Sequence, residues 1–497
     1  MVELQFRKTE CSFLDTALRE YQNMEQTMEL RIPDGMPDIG RVLCAWGQTV
    51  LRGKEWQEDR ISISAGMMVW VLYVSEEDGS ARCVDGWIPF QFRWDLPDGV
   101  PEGSIRVSLL NRFTDARSIS ARKLMIRAGI AAVAEAWHEA VRSVSMPEEK
   151  PAELQLLQSR YWMRLPREAG EKQFRLEDTL VLPASAPQLR RLLYYRMIPS
   201  VTDQKVLADK AVFRGCGNLH LLYESEGGQL HSWDFELPFS QYSELKSSYS
   251  TDAQTQVIPC VTGLELEGDD EGHLHLKCSL VGQYIVEDNS FVEVLEDAYC
   301  PGREIEPERE VLMLPTVLDS SRIMLRLEKE MPADAGMIID AVLLPDHPRK
   351  NLAGEMGLCA SAQLLYYGTD GSLQAVSHTA EAVLNIPADS TARLFTLPQE
   401  TVQLQTAVGS GTASVRCEIP VQITAVAGQG LSVVTGLKMG QKRAADPLRP
   451  SLVVCRAGKR RLWDIARDNG STVDAILSVN GLQEEPEADR LLLIPVM

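Results

Sequence analysis

The amino-acid sequence predicts a mainly β protein, with three tandem β-sandwich-like repeats followed by a small βααβ domain. Three observations carry this expectation. Landmarks recur at one spacing: Pro33 and Pro183, Tyr73 and Tyr223, and Arg127 and Lys277 are each 150 residues apart, and self-similarity at a fixed period marks tandem units. Apolar and polar residues alternate along Met28-Glu29-Leu30-Arg31-Ile32, around Ile61 and Ile63, and through Leu264, Leu266, Leu274 and Leu276. Period two with one apolar face is the pattern of a half-buried antiparallel strand. The pattern then changes near residue 451, where Leu462-Trp463-Asp464-Ile465-Ala466 takes helical spacing.

The first repeat spans 1–147. A strand ends at Ile32-Pro33, and Pro37-Asp38 is expected to open a short helix through Leu43, with Asp38 favoured in its first turn by the helix dipole. An apolar run then ends at Tyr73, the turn Ser75 to Gly79 follows, and a further strand reaches Ile88-Pro89-Phe90. Glycine supplies the positive φ that such hairpins need. The proline-bracketed stretch Pro147 to Pro151 separates this repeat from the second, 152–300. There Ala152 to Met163 is expected to be helical, before Leu182-Pro183, Tyr223 with a turn ending at Gly228, and Leu237-Pro238-Phe239 repeat the order.

The third repeat, 304–438, is divergent. Its landmarks are Leu314-Pro315, Tyr366, the turn Gly368 to Gly371, Asn385-Ile386-Pro387 and Arg416-Cys417. Pro315 and Tyr366 are 51 residues apart, where the first two repeats need 40. The excess is assigned to a loop inserted near Pro345 to Lys350, a stretch rich in turn formers. Residues 439–450 are an extended linker between prolines and basic residues. The last domain, 451–497, reads as a strand at Leu452 to Cys455, a helix from Leu462, a second helix capped by Ser471 or Thr472, a turn at Asn480-Gly481-Leu482, and a strand at Leu491 to Pro495. Trp463, Ile465, Ile476 and Leu493 are expected to form its core.

With 497 residues and a net charge of −20, the chain has room for several cores but no overall basic surface for nucleic acid. No apolar run approaches the roughly 20 residues of a membrane helix, and the first residues lack a signal-peptide core. No membrane insertion and cytosolic synthesis without export are expected. None of the ten cysteines forms a C-x-x-C pair; Cys278 and Cys417 take the repeat position of Ala128 and are expected to be buried free thiols. His273-x-His275 places two imidazoles on one strand face without a third ligand, and reads as a solvent-facing pair beside the acidic turn Gly268 to Gly272. Gly409-Ser410-Gly411 lacks the G-x-S-x-G pattern of a nucleophile elbow and reads as a turn, and phosphate-binding glycine motifs are absent. Tyr73, Tyr223 and Tyr366 are expected to close strands, ring packed and hydroxyl on a backbone partner. No enzyme, cofactor or metal site is expected.

Leu462-Trp463-Asp464-Ile465-Ala466, Ser471 to Ile476, Asn480-Gly481-Leu482 and Leu493-Ile494-Pro495 together resemble a LysM domain, a module that binds N-acetylglucosamine-containing glycans. Lys459-Arg460-Arg461 stands where that family has Gly-Asp-Thr, and Glu487-Ala488-Asp489-Arg490 where it has Pro-Gly-Gln. The resemblance implies a kept scaffold with altered ligand loops, whose candidate ligand or partner residues are Lys459, Arg460, Arg461, Asn480, Gly481, Asp489 and Arg490. Met28 to Leu43, with Val71-Leu72-Tyr73 and Ile88-Pro89-Phe90, resembles the SPOCS domain, a spore-coat-associated repeat. Tandem SPOCS repeats closed by one LysM domain resemble the SipL-type family of clostridial spore morphogenesis proteins. This implies a non-enzymatic scaffold or adaptor in the mother-cell cytoplasm, at the forespore surface or spore coat, whose partner is a spore coat or morphogenetic protein. The basic cluster suits docking to an acidic partner by charge complementarity. The alternative is a peptidoglycan-binding protein that uses the LysM domain.

Overall fold

Alternating side chains become long antiparallel strands over most of the chain. A computed structural model describes residues 2–149, 151–269, 272–350, 355–384, 393–398, 404–443, 450–486 and 490–497. The first group of strands is β1 (Val2–Glu3), β2 (Phe6–Arg31), β3 (Ile39–Gln57), β4 (Arg60–Ser75), β5 (Ala81–Asp95), β6 (Ser104–Ser120) and β7 (Lys123–Pro147). In it β3-β4-β5 form one sheet and β2-β7-β6 another. The two share a core that includes Ile61, Ile63, Phe92, Leu124, Ile126 and Ile130, each buried.

The second group is β8 (Gln155–Val181), β9 (Leu189–Leu207), β10 (Lys210–Ser225), β11 (Leu230–Glu244), β12 (Gln254–Gly268) and β13 (His273–Tyr299). Its sheets are β9-β10-β11 and β8-β13-β12, with Phe213, Leu221, Leu274 and Leu280 in their core. The third is β14 (Arg303–Pro332), β15 (Ala335–Pro345), β16 (Arg349–Lys350), β17 (Met356–Gly368), β18 (Leu373–Leu384), β19 (Arg393–Pro398), β20 (Leu404–Val408) and β21 (Thr412–Lys442). There β14, β19 and β20 pair with β21, while β15, β16 and β18 pair with β17. Gly79, Gly228 and Gly371 hold φ of 66°, 75° and 77° in the three hairpin turns, a region that strains other L-residues. All ten cysteines are free, and burial pushes the Cys278 thiol up to about 12.

Several expectations need correction. Ala152–Met163 is not helical: β8 starts at Gln155, and Met163 and Leu165 are buried while Trp162, just before them, is 56% exposed and Arg164, between them, is half-buried. That is period two, and burial against neighbouring strands decides it. Pro37–Leu43 opens no helix either, because Ile39 already lies in β3 and its N–H donates to Ala121 O at 2.9 Å. Pro315 is not the counterpart of Pro33. It lies in mid-strand opposite Gly428, and β14 ends only at Pro332. Nor is a loop inserted near Pro345–Lys350. β15 stops at Pro345 and β16 resumes at Arg349 on the same partner, where β3 and β9 run unbroken for 19 residues. Residues 439–442 belong to β21 rather than to a linker; residues 444–449 and Asn385-Ile386-Pro387 lie outside the described residues. Tyr73 does reach a backbone partner, Pro37 O at 3.0 Å, but Tyr366 reaches Gln374 Oε1 at 3.1 Å, and the buried Tyr223 hydroxyl has no hydrogen-bond partner among the described residues.

The pairings β2–β7, β8–β13 and β14–β21 run on beyond the sheets as two-stranded ribbons. Their inward side chains Phe13, Met163, Leu165, Val292, Leu312 and Leu431 meet in one buried cluster. β1 completes the far end, with Val2 opposite Met439.

A second shared cluster joins the sheets β3-β4-β5, β9-β10-β11 and β15-β17-β18. Register identifies matching positions there. Cys44 pairs with Leu72, Tyr194 with Leu222 and Asp340 with Leu365; Trp46 pairs with Trp70, Arg196 with His220 and Val342 with Gln363. Tyr194 stacks on Trp46 at 4.6 Å and meets Trp70 edge-on at 5.2 Å. Asp340, the matching residue of the third group, forms an ion pair with His220 Nε2 at 2.9 Å, while His220 Nδ1 lies 2.7 Å from Asp234 Oδ1.

Burial alone would lower the His220 pKa, but the Asp340 and Asp234 carboxylates outweigh burial and the nearby Arg196, and raise it to about 9. The same contact lowers Asp340, against its own burial. Because the folded value exceeds an unfolded one near 6.5, the stabilisation, about 3 kcal/mol at most, is complete below about pH 6.5 and is lost as pH rises through 9. Thermal unfolding recorded from pH 6 to pH 10 is therefore expected to show a midpoint that falls across this window, and His220→Gln is expected to flatten that fall.

Candidate functional site

The C-terminal module is built from β22 (Leu452–Arg456), α1 (Leu462–Asn469), α2 (Val473–Asn480) and β23 (Leu491–Pro495), with β22 antiparallel to β23. α1 presents Leu462, Trp463, Ile465 and Ala466 to the core and stops at Gly470, whose φ of 62° turns the chain back. Thr472, one of the two expected caps, accepts from Ala475 N–H at 3.2 Å and starts α2. The N-cap of α1, Arg461, offers no side-chain acceptor. Instead Glu485, from the loop after α2, takes Leu462 N–H on both carboxylate oxygens at 3.0 Å. A carboxylate at a helix N-terminus meets unpaired amides and the positive end of the dipole.

The expected core needs one correction. Trp463, Ile465 and Ile476 are buried, but Leu493 is 39% exposed, and its neighbours Leu492 and Ile494 point inward instead. The strand alternation is thus shifted by one residue from the expectation. In consequence Leu452, Val454, Leu491 and Leu493 all face outward from the two-stranded sheet, 39 to 62% exposed, on the side away from the helices.

The module is fixed to the ribbons. Asp297 of β13 accepts from Trp463 Nε1 at 2.9 Å and from Arg467 Nη1 at 2.6 Å, and it also pairs with Arg309 of β14. Burial would raise this carboxyl, but the Trp463, Arg309 and Arg467 hydrogen bonds hold it below its usual range. Tyr299 lies edge-on to Trp463 at 4.7 Å, and its hydroxyl donates to Ser471 O at 3.0 Å. Leu157 and Ile305 close the same cluster from the ribbon side.

The seven candidate loop residues separate by role. Arg461 reaches across the edge of the dock while still largely exposed, 3.5 Å from Glu296 and 3.4 Å from Asp464. Arg460 makes a loose pair with Asp468 at 3.6 Å, and Lys459 is exposed beside it. Asn480 is structural: its side chain donates to Leu493 O at 2.6 Å and accepts from Leu493 N–H at 2.8 Å, as an edge strand would. Gly481 ends α2 with φ 62°. Arg490 Nη2 donates to Asn480 O at 3.4 Å, and Asp489 lies outside the described residues. Asp297, Tyr299, Arg467 and Glu485 escape sequence reasoning, because their partners lie far along the chain or across a loop with no motif. Elsewhere His273 and His275 both turn to Asp269, each at 3.1 Å, and among the described residues no group of three or more His, Cys, Asp or Glu is placed to hold a metal ion. No described helix is long and apolar enough to cross a membrane.

No family model matches the chain, and neither a curated protein nor a solved structure matches it. The dock can be tested directly. Asp297→Ala leaves an indole N–H and two guanidinium groups without their shared acceptor, a loss of about 3 kcal/mol or more for a buried pair. The variant is expected to release the module from the body, seen as an increased radius of gyration in small-angle scattering, while the β body, which loses only the Arg309 contact, stays folded.

Proposed function

We propose that the chain is a non-enzymatic adaptor for assembly of the spore coat or spore envelope, made of three copies of a SPOCS-like unit and a LysM-like module, and acting through protein–protein contacts. The observation that carries this proposal is the outward face of β22–β23, where Leu452, Val454, Leu491 and Leu493 are exposed together. A group of apolar side chains exposed together on one face is the usual mark of a contact surface. The partner is a spore coat or morphogenetic protein, met on the mother-cell side of the forespore surface.

Peptidoglycan binding is the weaker alternative. It needs backbone groups of the two loops free for the sugar, and Glu485 already occupies the amide that opens α1. Bulky Lys459 and Arg460 take positions where the LysM family carries glycine and aspartate. Charge reversal of Arg460 and Arg461 together would be ambiguous, since Arg461 faces Glu296 within the molecule.

Val454→Glu with Leu491→Glu is therefore the sharper variant. Recruitment of the partner to the forespore surface, followed with tagged protein, is expected to be lost while the thermal midpoint stays within a few degrees. Sedimentation with insoluble peptidoglycan is expected to retain neither the intact chain nor a chain ending at Gly440. Retention that depends on the C-terminus would replace the adaptor with the glycan binder.

A further inference from the structure

The junction between the first and second groups is closed by large side chains, and the corresponding junction between the second and third is not. Register again gives the matching positions. Met68 lies opposite Trp87 as Asn218 lies opposite Glu236, and Gly66 lies opposite Val50 as Cys216 lies opposite Ser200. In the first junction the Trp87 indole covers Gly66 so closely that a Cβ there would sit 1.9 Å from the ring. Arg52 stacks over the same indole at 4.6 Å, and Val50 is fully buried in the core of the second group. The space left between β3, β6, β9 and β12 is about 70 Å³.

With Glu236, Asn218, Ser200 and Cys216 in those places, the second junction keeps an open cleft of about 960 Å³. One wall carries Asp234 and Glu236 from β11. The other carries Arg322 and Arg326 from β14, and Arg416 and Glu418 from β21. Arg322 Nη1 donates to Val201 O across the junction at 2.9 Å, so the walls are held at a fixed separation. Arg416 also pairs with Glu328 at 2.7 Å, its cross-strand neighbour on β14, as Glu418 lies opposite Arg326. The walls therefore differ in sign, with Glu236 and the His220-bound Asp234 on the second group, and three arginines against Glu328 and Glu418 on the third.

Along each wall the lining residues are two apart: 234 and 236, 322 and 326 with Met324 between, 416 and 418. Same-face residues of a strand are about 7 Å apart, and those of an extended peptide share that spacing while alternate ones face the opposite side. We infer that this cleft receives an extended segment of a partner protein, acidic on the face turned to Arg322, Arg326 and Arg416 and basic on the face turned to Asp234 and Glu236. The inference rests on the adaptor proposal, but uses a surface separate from the C-terminal module.

The test pans a displayed library of random linear peptides on the full chain, then measures the enriched peptides against two variants. Cys216→Gly with Glu236→Trp rebuilds the indole-over-glycine closure of the first junction, and Arg326→Glu inverts one wall while leaving the cleft open. Enriched sequences are expected to alternate acidic and basic residues and to lose at least about tenfold in affinity on each variant, about 1.4 kcal/mol. Should the first variant fail to fold, Arg326→Glu alone decides. No enrichment, or peptides that bind the variants as tightly as the parent chain, would overturn the cleft assignment. Either result leaves forespore recruitment by the β22–β23 face to be judged separately.

Discussion

The contact that each sheet group makes with the matching pair of the group before it sets the relation among all three. Position by position it is one contact, realised in different chemistry. Tyr194 on Trp46 and Trp70 is an aromatic stack, which adds directional attraction to the burial of area. Asp340 on His220 is a buried ion pair, where desolvation opposes the Coulomb gain and removal of one partner leaves a stranded charge. Cys44, the matching residue of the first group, lines a cavity of about 230 Å³ with Gln363 of the third. The aromatic contact is indifferent to pH and the ionic one is not, so the three joints respond differently to one change of conditions.

Strand content was legible in the sequence because alternation is local, and the 150-residue offset was legible because matching landmarks were kept. The errors have a common physical source. Ala152–Met163 has helix-compatible composition, but Met163 and Leu165 are buried against two other ribbons, a constraint set in large part by residues such as Phe13, Leu312 and Leu431, more than a hundred positions away. Pro315 looks like the third counterpart of Pro33 and Pro183 because it too follows a leucine or isoleucine, yet it sits within β14 opposite Gly428. On the module, a shift of one residue in β23 exchanged Leu493 for Leu492 and Ile494 in the core, and so hid the exposed face that now carries the functional proposal.

The candidate loops of the module were named from their positions, and position alone could not separate Asn480, which holds β23, from Lys459, which faces solvent. Asp297 was out of reach altogether, because it is an ordinary strand residue until Trp463 and Arg467 arrive 166 and 170 positions later. Its effect on the placement of the module is nonetheless direct. A docked module presents β22–β23 at one fixed angle to the body, and a second contact on the body then gains from fixed geometry rather than from the averaging of a flexible tether.

The pairing of Val2 with Met439 has a temporal consequence. During synthesis the two-residue strand at the start of the chain waits without a neighbour until more than four hundred further residues have left the ribosome. This pairing therefore forms late, and contacts so distant in sequence are slow to form. A nascent chain stalled before β21 would hold the first two sheet groups complete but leave β14, thirty residues long, without its partner and open to intermolecular strand addition.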